Sequence, residues 1–95
     1  MQDKNNPITV PTIDQEAENK EILKRYRSLL RACKNSIDKT DRKLIRLAFD
    51  TALEAHKDMR RRSGEPDIYH PIAVAQIAAE EIGLGATSIV CALLH

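Results

Sequence analysis

TDRKLIRLAFDTALEA, residues Thr40–Ala55, is the stretch from which the fold is read. Leu44, Ile45, Ala48, Phe49, Ala52 and Leu53 recur at three- and four-residue spacings, while Lys43, Arg46, Asp50 and Glu54 fill the positions between them. That is the period of an amphipathic helix, with the apolar set inward and the charged set outward. Asp38 or Thr40 supplies the short polar side chain that caps such a helix, and the pattern runs on to about His56 or Met59.

Working outward, the same period appears on the N-terminal side. Ile22, Tyr26, Leu29, Leu30 and Cys33 form one apolar stripe behind a potential cap at Asp14, and Asn35 and Ser36 interrupt it. Residues 1–13 are polar, with Pro7 and Pro11, and read as an extended arm ahead of a domain over 14–95. On the C-terminal side, RRRSGEPDIY carries Ser63, Gly64 and Pro66, the chemistry of a turn. Pro71 fits a first helical position. A third helix then runs through Ile72, Ala75, Ile77, Ala78 and Ile82 and is stopped by Gly83, and a fourth starts at Thr87 or Ser88 and includes Ile89, Val90, Ala92, Leu93 and Leu94. No alternating pattern of a half-buried strand appears. The expectation is an all-α chain. Its last residues, SIVCALLH, are nearly all apolar, which predicts further helices of the same domain to cover them.

Composition narrows the class. Of 95 residues, 42% are hydrophobic, with one Phe and no Trp, so the core is built from Leu, Ile, Val and Ala. A formal net charge of +1 gives no global field toward nucleic acid or an anionic membrane. Cys33 and Cys91 are too few for a disulfide framework, and the N-terminus lacks the apolar run of a signal peptide. A cytoplasmic protein without membrane or direct nucleic-acid partners is expected.

The chemistry-bearing residues cluster late. His70 stands at the mouth of the third helix and His95 at the end of the fourth. Taken alone, an imidazole on an apolar helix is more often a packed core residue than a ligand. Arg60, Arg61 and Arg62 precede Ser63, and without further context three arginines make a solvated turn. Cys91 lies one turn before His95, an arrangement too sparse by itself for a zinc site.

The stretch MRRRSGEPDIYHPIAVA (Met59–Ala75), the later CALLH and the preceding LAFDTALEAHKDM together resemble the signature of RelA/SpoT homologues. The resemblance covers roughly residues 44–95. It implies an HD-type hydrolase domain, a helical bundle of which only the N-terminal helices are present here. Such a domain removes pyrophosphate from the 3′ position of (p)ppGpp and holds Mn²⁺ through two His and two Asp. Carried over, the ligands are His70 and His95, with the remaining ligands beyond the end of this sequence. Arg61 and Arg62 correspond to the basic pair that contacts guanine and nearby phosphates, Ser63 offers a hydroxyl beside them, and Tyr69 lines the pocket. His56 reads as structural, bonding the SGEP loop, Arg60 as facing solvent, and Asp67 departs from the bulky residue usual at its position.

The resemblance thus implies a (p)ppGpp 3′-diphosphatase of the stringent response, in a family whose members often carry a synthetase domain as well. An HD phosphohydrolase for another nucleotide and a non-catalytic helical regulatory module are the alternatives. With half the expected ligand set, residues 1–95 alone are expected to be inactive and to bind Mn²⁺ weakly. An uncovered apolar face around Val90, Leu93 and Leu94 is expected to drive self-association.

Overall fold

A computed structural model describes residues 14–81 and 84–95. Four helices follow one another in the order α1 (Gln15–Cys33), α2 (Lys39–Ala55), α3 (Tyr69–Glu80) and α4 (Ala86–Leu94), and no strand occurs among the described residues. The all-α expectation holds. The N-terminal arm, Ile82 and Gly83 lie outside the described residues, although α3 already ends at Glu80.

The first two helices begin where a side chain satisfies one of their free N–H donors. At α1 the Asp14 carboxylate accepts from the Ala17 amide at 3.0 Å, and Glu16 and Glu18 place negative charge in the first turn, where the helix dipole favours it. At α2 the choice falls on Asp38 rather than Thr40. Asp38 accepts from the Asp41 amide at 2.8 Å, and Asp41 accepts from the Asp38 amide at 3.1 Å, a reciprocal capping box.

Two helix starts differ from expectation. The turn bonds Tyr69 N–H to Pro66 O (3.2 Å) and His70 N–H to Asp67 O (3.1 Å) lead the chain into α3 early. Pro71 is therefore the third helical residue, still inside the first turn, where its missing N–H leaves no bond unmade. At α4 the helix starts at Ala86, behind Gly85, whose carbonyl accepts from Ser88 and Ile89.

The core is aliphatic apart from one aromatic pair. Ile22, Tyr26, Leu29 and Cys33 from α1 meet Ile45, Ala48, Phe49 and Ala52 from α2, Ile72, Ala75 and Ala79 from α3, and Ile89 and Leu93 from α4. Helix α4 packs on both α2 and α3, and α3 packs on α1. The Tyr26 and Phe49 rings stack at a centroid distance of 4.2 Å and join α1 to α2.

The apolar faces are narrower than the sequence pattern. At about 100° per residue, Leu44 and Leu53 each lie about 90° from the centre of the Ile45–Ala48–Phe49–Ala52 stripe, on opposite flanks. Leu53 is partly covered, whereas Leu44 is 50% exposed. On α3, Ile77 points outward and Ala79 takes the buried position. On α4 the face expected to be bare is mostly used: Leu93 is fully buried and Val90 is partly buried against the core, because α2 and α3 cover that helix from two sides, and only Leu94 stays exposed.

Candidate functional site: a histidine cleft beside an arginine hairpin

The segment between α2 and α3 is a short closed hairpin. Asp67 donates its amide to Met59 O at 2.9 Å, and Arg61 donates to Glu65 O at 3.0 Å, around an isolated antiparallel bridge between Arg60 and Pro66. The turn closes with Gly64 N–H on Arg61 O at 2.8 Å. Gly64 has a φ of 93°, in the region where a Cβ is strained, so glycine is required there.

Extended backbone sends successive side chains to opposite faces, and Arg60 and Arg61 divide accordingly, while Arg62 already lies in the turn. Arg60 turns to α1. Its Nη1 and Nη2 donate to the two carboxylate oxygens of Glu18 at 2.8 and 2.6 Å, and Nη1 also reaches Gly64 O at 2.7 Å. Arg60 is exposed, as expected, and with 30% of its side chain accessible it also pairs with a carboxylate from the first turns of α1. Arg61 turns the other way, with Nη1 3.5 Å from Asp67 Oδ1. Arg61, Arg62, Ser63 and Asp67 together line an open cavity of about 580 Å³.

Behind the hairpin lies a second, smaller cleft of about 240 Å³, lined by His56, Asp67, His70, Pro71, Val74, Ala92 and His95. All three histidines of the chain meet here. His70 and Val74 are one turn apart on α3 and share a face. Ala92 and His95 do the same at the end of α4, so the packing of α3 on α4 brings two distant imidazoles to one space. His56 is the C-cap of α2. Its Nδ1 lies 2.8 Å from Ala52 O, an acceptor, so Nδ1 carries the proton of that bond. Its Nε2 lies 3.5 Å from Asp67 Oδ2. His56 thus ties the end of α2 to the residue after the SGEP turn.

Asp67 lines both cavities, with one carboxylate oxygen toward Arg61 and the other toward His56. The sequence marked this position only as a departure from pattern, and its role as a shared wall was missed. The available signal was an acidic side chain six residues after Arg61 across a Ser-Gly turn. Glu18 was missed as well, and a contact spanning 42 residues leaves no local signal.

Tyr69 does not join this site. The Arg25 guanidinium lies 3.9 Å above its ring, so Tyr69 faces α1. It is the helical neighbour of His70, about 100° around the axis. Burial raises its phenol pKa, partly opposed by the nearby Arg25 charge.

The polar side chains that line the histidine cleft are three imidazoles and one carboxylate. His70 and His95 both line this cleft, and imidazole is a ligand type that divalent transition metals accept. Among the described residues no three His, Cys, Asp or Glu side chains converge closely enough to hold an ion by themselves. Cys91 is exposed and unpaired and is not among the cleft residues. No described helix is long and apolar enough to cross a membrane.

Helices that bring three imidazoles together next to an arginine-bearing hairpin define an all-α protein with a histidine-lined cleft. Comparison with known proteins supplies the family. The chain is 46% identical over 57 residues to a probable GTP pyrophosphokinase of Mycobacterium leprae, a match covering 60% of this chain and 7% of that protein. It is 47% identical over 53 residues to the bifunctional (p)ppGpp synthase/hydrolase SpoT of Escherichia coli, covering 56% and 7%. It is 41% identical over 51 residues to a guanosine-3′,5′-bis(diphosphate) 3′-pyrophosphohydrolase of Aquifex aeolicus, covering 54% and 7%. Over this segment the chain is a RelA/SpoT homologue. The matches span less than a tenth of the length of these relatives. No family model matches the chain, and no solved structure matches it.

Proposed function

We propose that this segment opens the HD-type hydrolase domain of a (p)ppGpp 3′-pyrophosphohydrolase, cytoplasmic and Mn²⁺-dependent. In a protein of the relatives' length, a synthetase activity on the same chain is compatible with this reading, since relatives carry both names. The observation that carries the proposal is the placement of His70 and His95 in one cleft that shares the Asp67 wall with the Arg61–Arg62–Ser63 cavity.

In this reading His70 and His95 are two ligands of the divalent ion, and the other ligands come from later residues of the longer protein. When bound, such an ion polarises a phosphoryl oxygen and lowers the pKa of a water beside it. The chain's own residues bind and orient. The Arg61 guanidinium is planar, always charged, and able both to stack on a purine and to bind phosphate bidentately. Arg62 and Ser63 add a second cation and a hydroxyl at the same rim. The Asp67 carboxylate, 3.5 Å from the Arg61 guanidinium, gives it an acidic neighbour at the cavity wall. His56, fixed by Ala52 O, holds the end of α2 against the hairpin.

The test is Mn²⁺-dependent release of pyrophosphate from ppGpp by the longer protein that carries this segment, compared with its His70→Ala and His95→Ala forms. Loss of turnover in both is expected, and undiminished turnover in either overturns the proposal. A second reading, an HD phosphohydrolase for another nucleotide, is favoured by the Asp67 carboxylate in the cavity wall. Faster hydrolysis of deoxynucleoside triphosphates or cyclic dinucleotides than of ppGpp establishes it.

A further inference from the structure

Three of the shortest side-chain bonds among the described residues meet at one guanidinium. Arg60 holds the Glu18 carboxylate through both terminal nitrogens, at 2.6 and 2.8 Å, and the Gly64 carbonyl at 2.7 Å. The two partners belong to different parts of the chain. Glu18 sits in the first turns of α1, and Gly64 is the positive-φ residue on which the hairpin turns. The residues between Arg60 and Gly64 are Arg61, Arg62 and Ser63, which line the open cavity. Fixing both ends of a five-residue segment fixes what lies between. The bidentate geometry sets orientation as well as distance, which a single lysine-type contact does not.

We infer that the Glu18–Arg60–Gly64 clasp is a positioning device, through which α1 sets the presentation of Arg61, Arg62 and Ser63 to a phosphorylated guanosine ligand. Arg60 and Glu18 touch no ligand in this scheme. They act through the hairpin. The inference rests on the proposed function for the identity of the ligand. The clasp gives α1 a role beyond packing: displacing its first turns releases the hairpin and weakens ligand binding without altering the histidine cleft.

The test uses the 95-residue chain in wild-type form and as Glu18→Gln, Arg60→Lys and the exchanged pair Glu18→Arg with Arg60→Glu. Two quantities are read: amide hydrogen exchange of residues 60–65, and the Kd for ppGpp by calorimetry. Glu18→Gln and Arg60→Lys are expected to speed hairpin exchange and to weaken ppGpp binding about threefold to fivefold, the scale of a solvent-accessible ion pair. The exchanged pair restores the ion pair to α1 but not the donor to the Gly64 carbonyl, so it is expected to recover part of the affinity, which a general loss of packing would not do. Unchanged exchange and unchanged Kd in the single variants overturn the inference and leave the proposed function standing. Faster exchange with unchanged Kd overturns it as well, because the clasp then holds the hairpin without bearing on the ligand. Failure of the wild-type chain to bind ppGpp overturns the inference together with the proposed nucleotide cavity.

Discussion

Replacing Phe49 with Ala removes the largest fully buried side chain of the core, at the point where α1 and α2 meet. Phe49 is 1% exposed and stacks on Tyr26, itself 4% exposed, at 4.2 Å with the planes 25° apart. Truncating a buried Phe to Ala costs roughly 3–5 kcal/mol, transfer and cavity together. The stacked pair adds about 0.5–1.5 kcal/mol beyond area. The Arg46 guanidinium, 5.5 and 5.9 Å from the two ring centroids, loses one of its aromatic partners. These features place the change in the upper part of the range, at about 4 kcal/mol. Domains of this length hold roughly 5–14 kcal/mol in total. With a urea slope near 1.3 kcal/mol/M, the midpoint falls by about 3 M. The assay is urea unfolding followed by circular dichroism at 222 nm. Phe49→Leu, which keeps most of the volume and loses the ring, should cost only about 1–1.5 kcal/mol. A loss under about 1 kcal/mol for Phe49→Ala, with unchanged slope, refutes the packing of α1 on α2 through this pair.

Other outcomes follow from the same structure. Cys33 is buried, its thiol donates to Leu29 O at 3.3 Å, and burial pushes its pKa up, whereas Cys91 is exposed. Iodoacetamide at neutral pH is therefore expected to label Cys91 within minutes and Cys33 only after unfolding, and mass spectrometry of the labelled peptides decides. The Arg60 hydrogen bond holds the Glu18 carboxyl below its ordinary value of 4.5. A carboxyl lowered in the folded state contributes stability above its unfolded pKa and loses it as pH falls through the folded one. The Glu18 carboxyl resonance should thus titrate below pH 4.5 and move upward in Arg60→Gln. Residues 1–95 alone supply two of the proposed metal ligands and are expected to show no Mn²⁺-dependent ppGpp hydrolysis, with measurable turnover in this chain as the contrary result. Leu44, Leu47, Ile77 and Leu94 each remain at least half exposed, and light scattering should report association that grows with concentration. A clean monomer at millimolar concentration opposes that expectation.

The sequence by itself determined that there are four helices and where the first two are capped, but not where α3 and α4 begin. Ile22, Tyr26, Leu29 and Cys33 repeat with the helical period, and Asp14 and Asp38 stand where caps belong, because these signals act within one or two turns. It also marked His70, His95 and the Arg61–Ser63 turn as the chemical part of the chain, through residue types in a recognisable order. The tertiary structure decided which faces are covered. Leu93 is buried and Ile77 is not, because α2 and α3 converge on α4 and nothing among the described residues covers that side of α3. It decided that Tyr69 faces Arg25 while its neighbour His70 faces the cleft, a consequence of the helical rotation between adjacent residues once α3 is packed on α1. It alone joined Glu18 to Arg60 and made Asp67 the wall between two cavities. Contacts between residues far apart in the chain depend on how whole helices pack, and no local pattern of side chains records that.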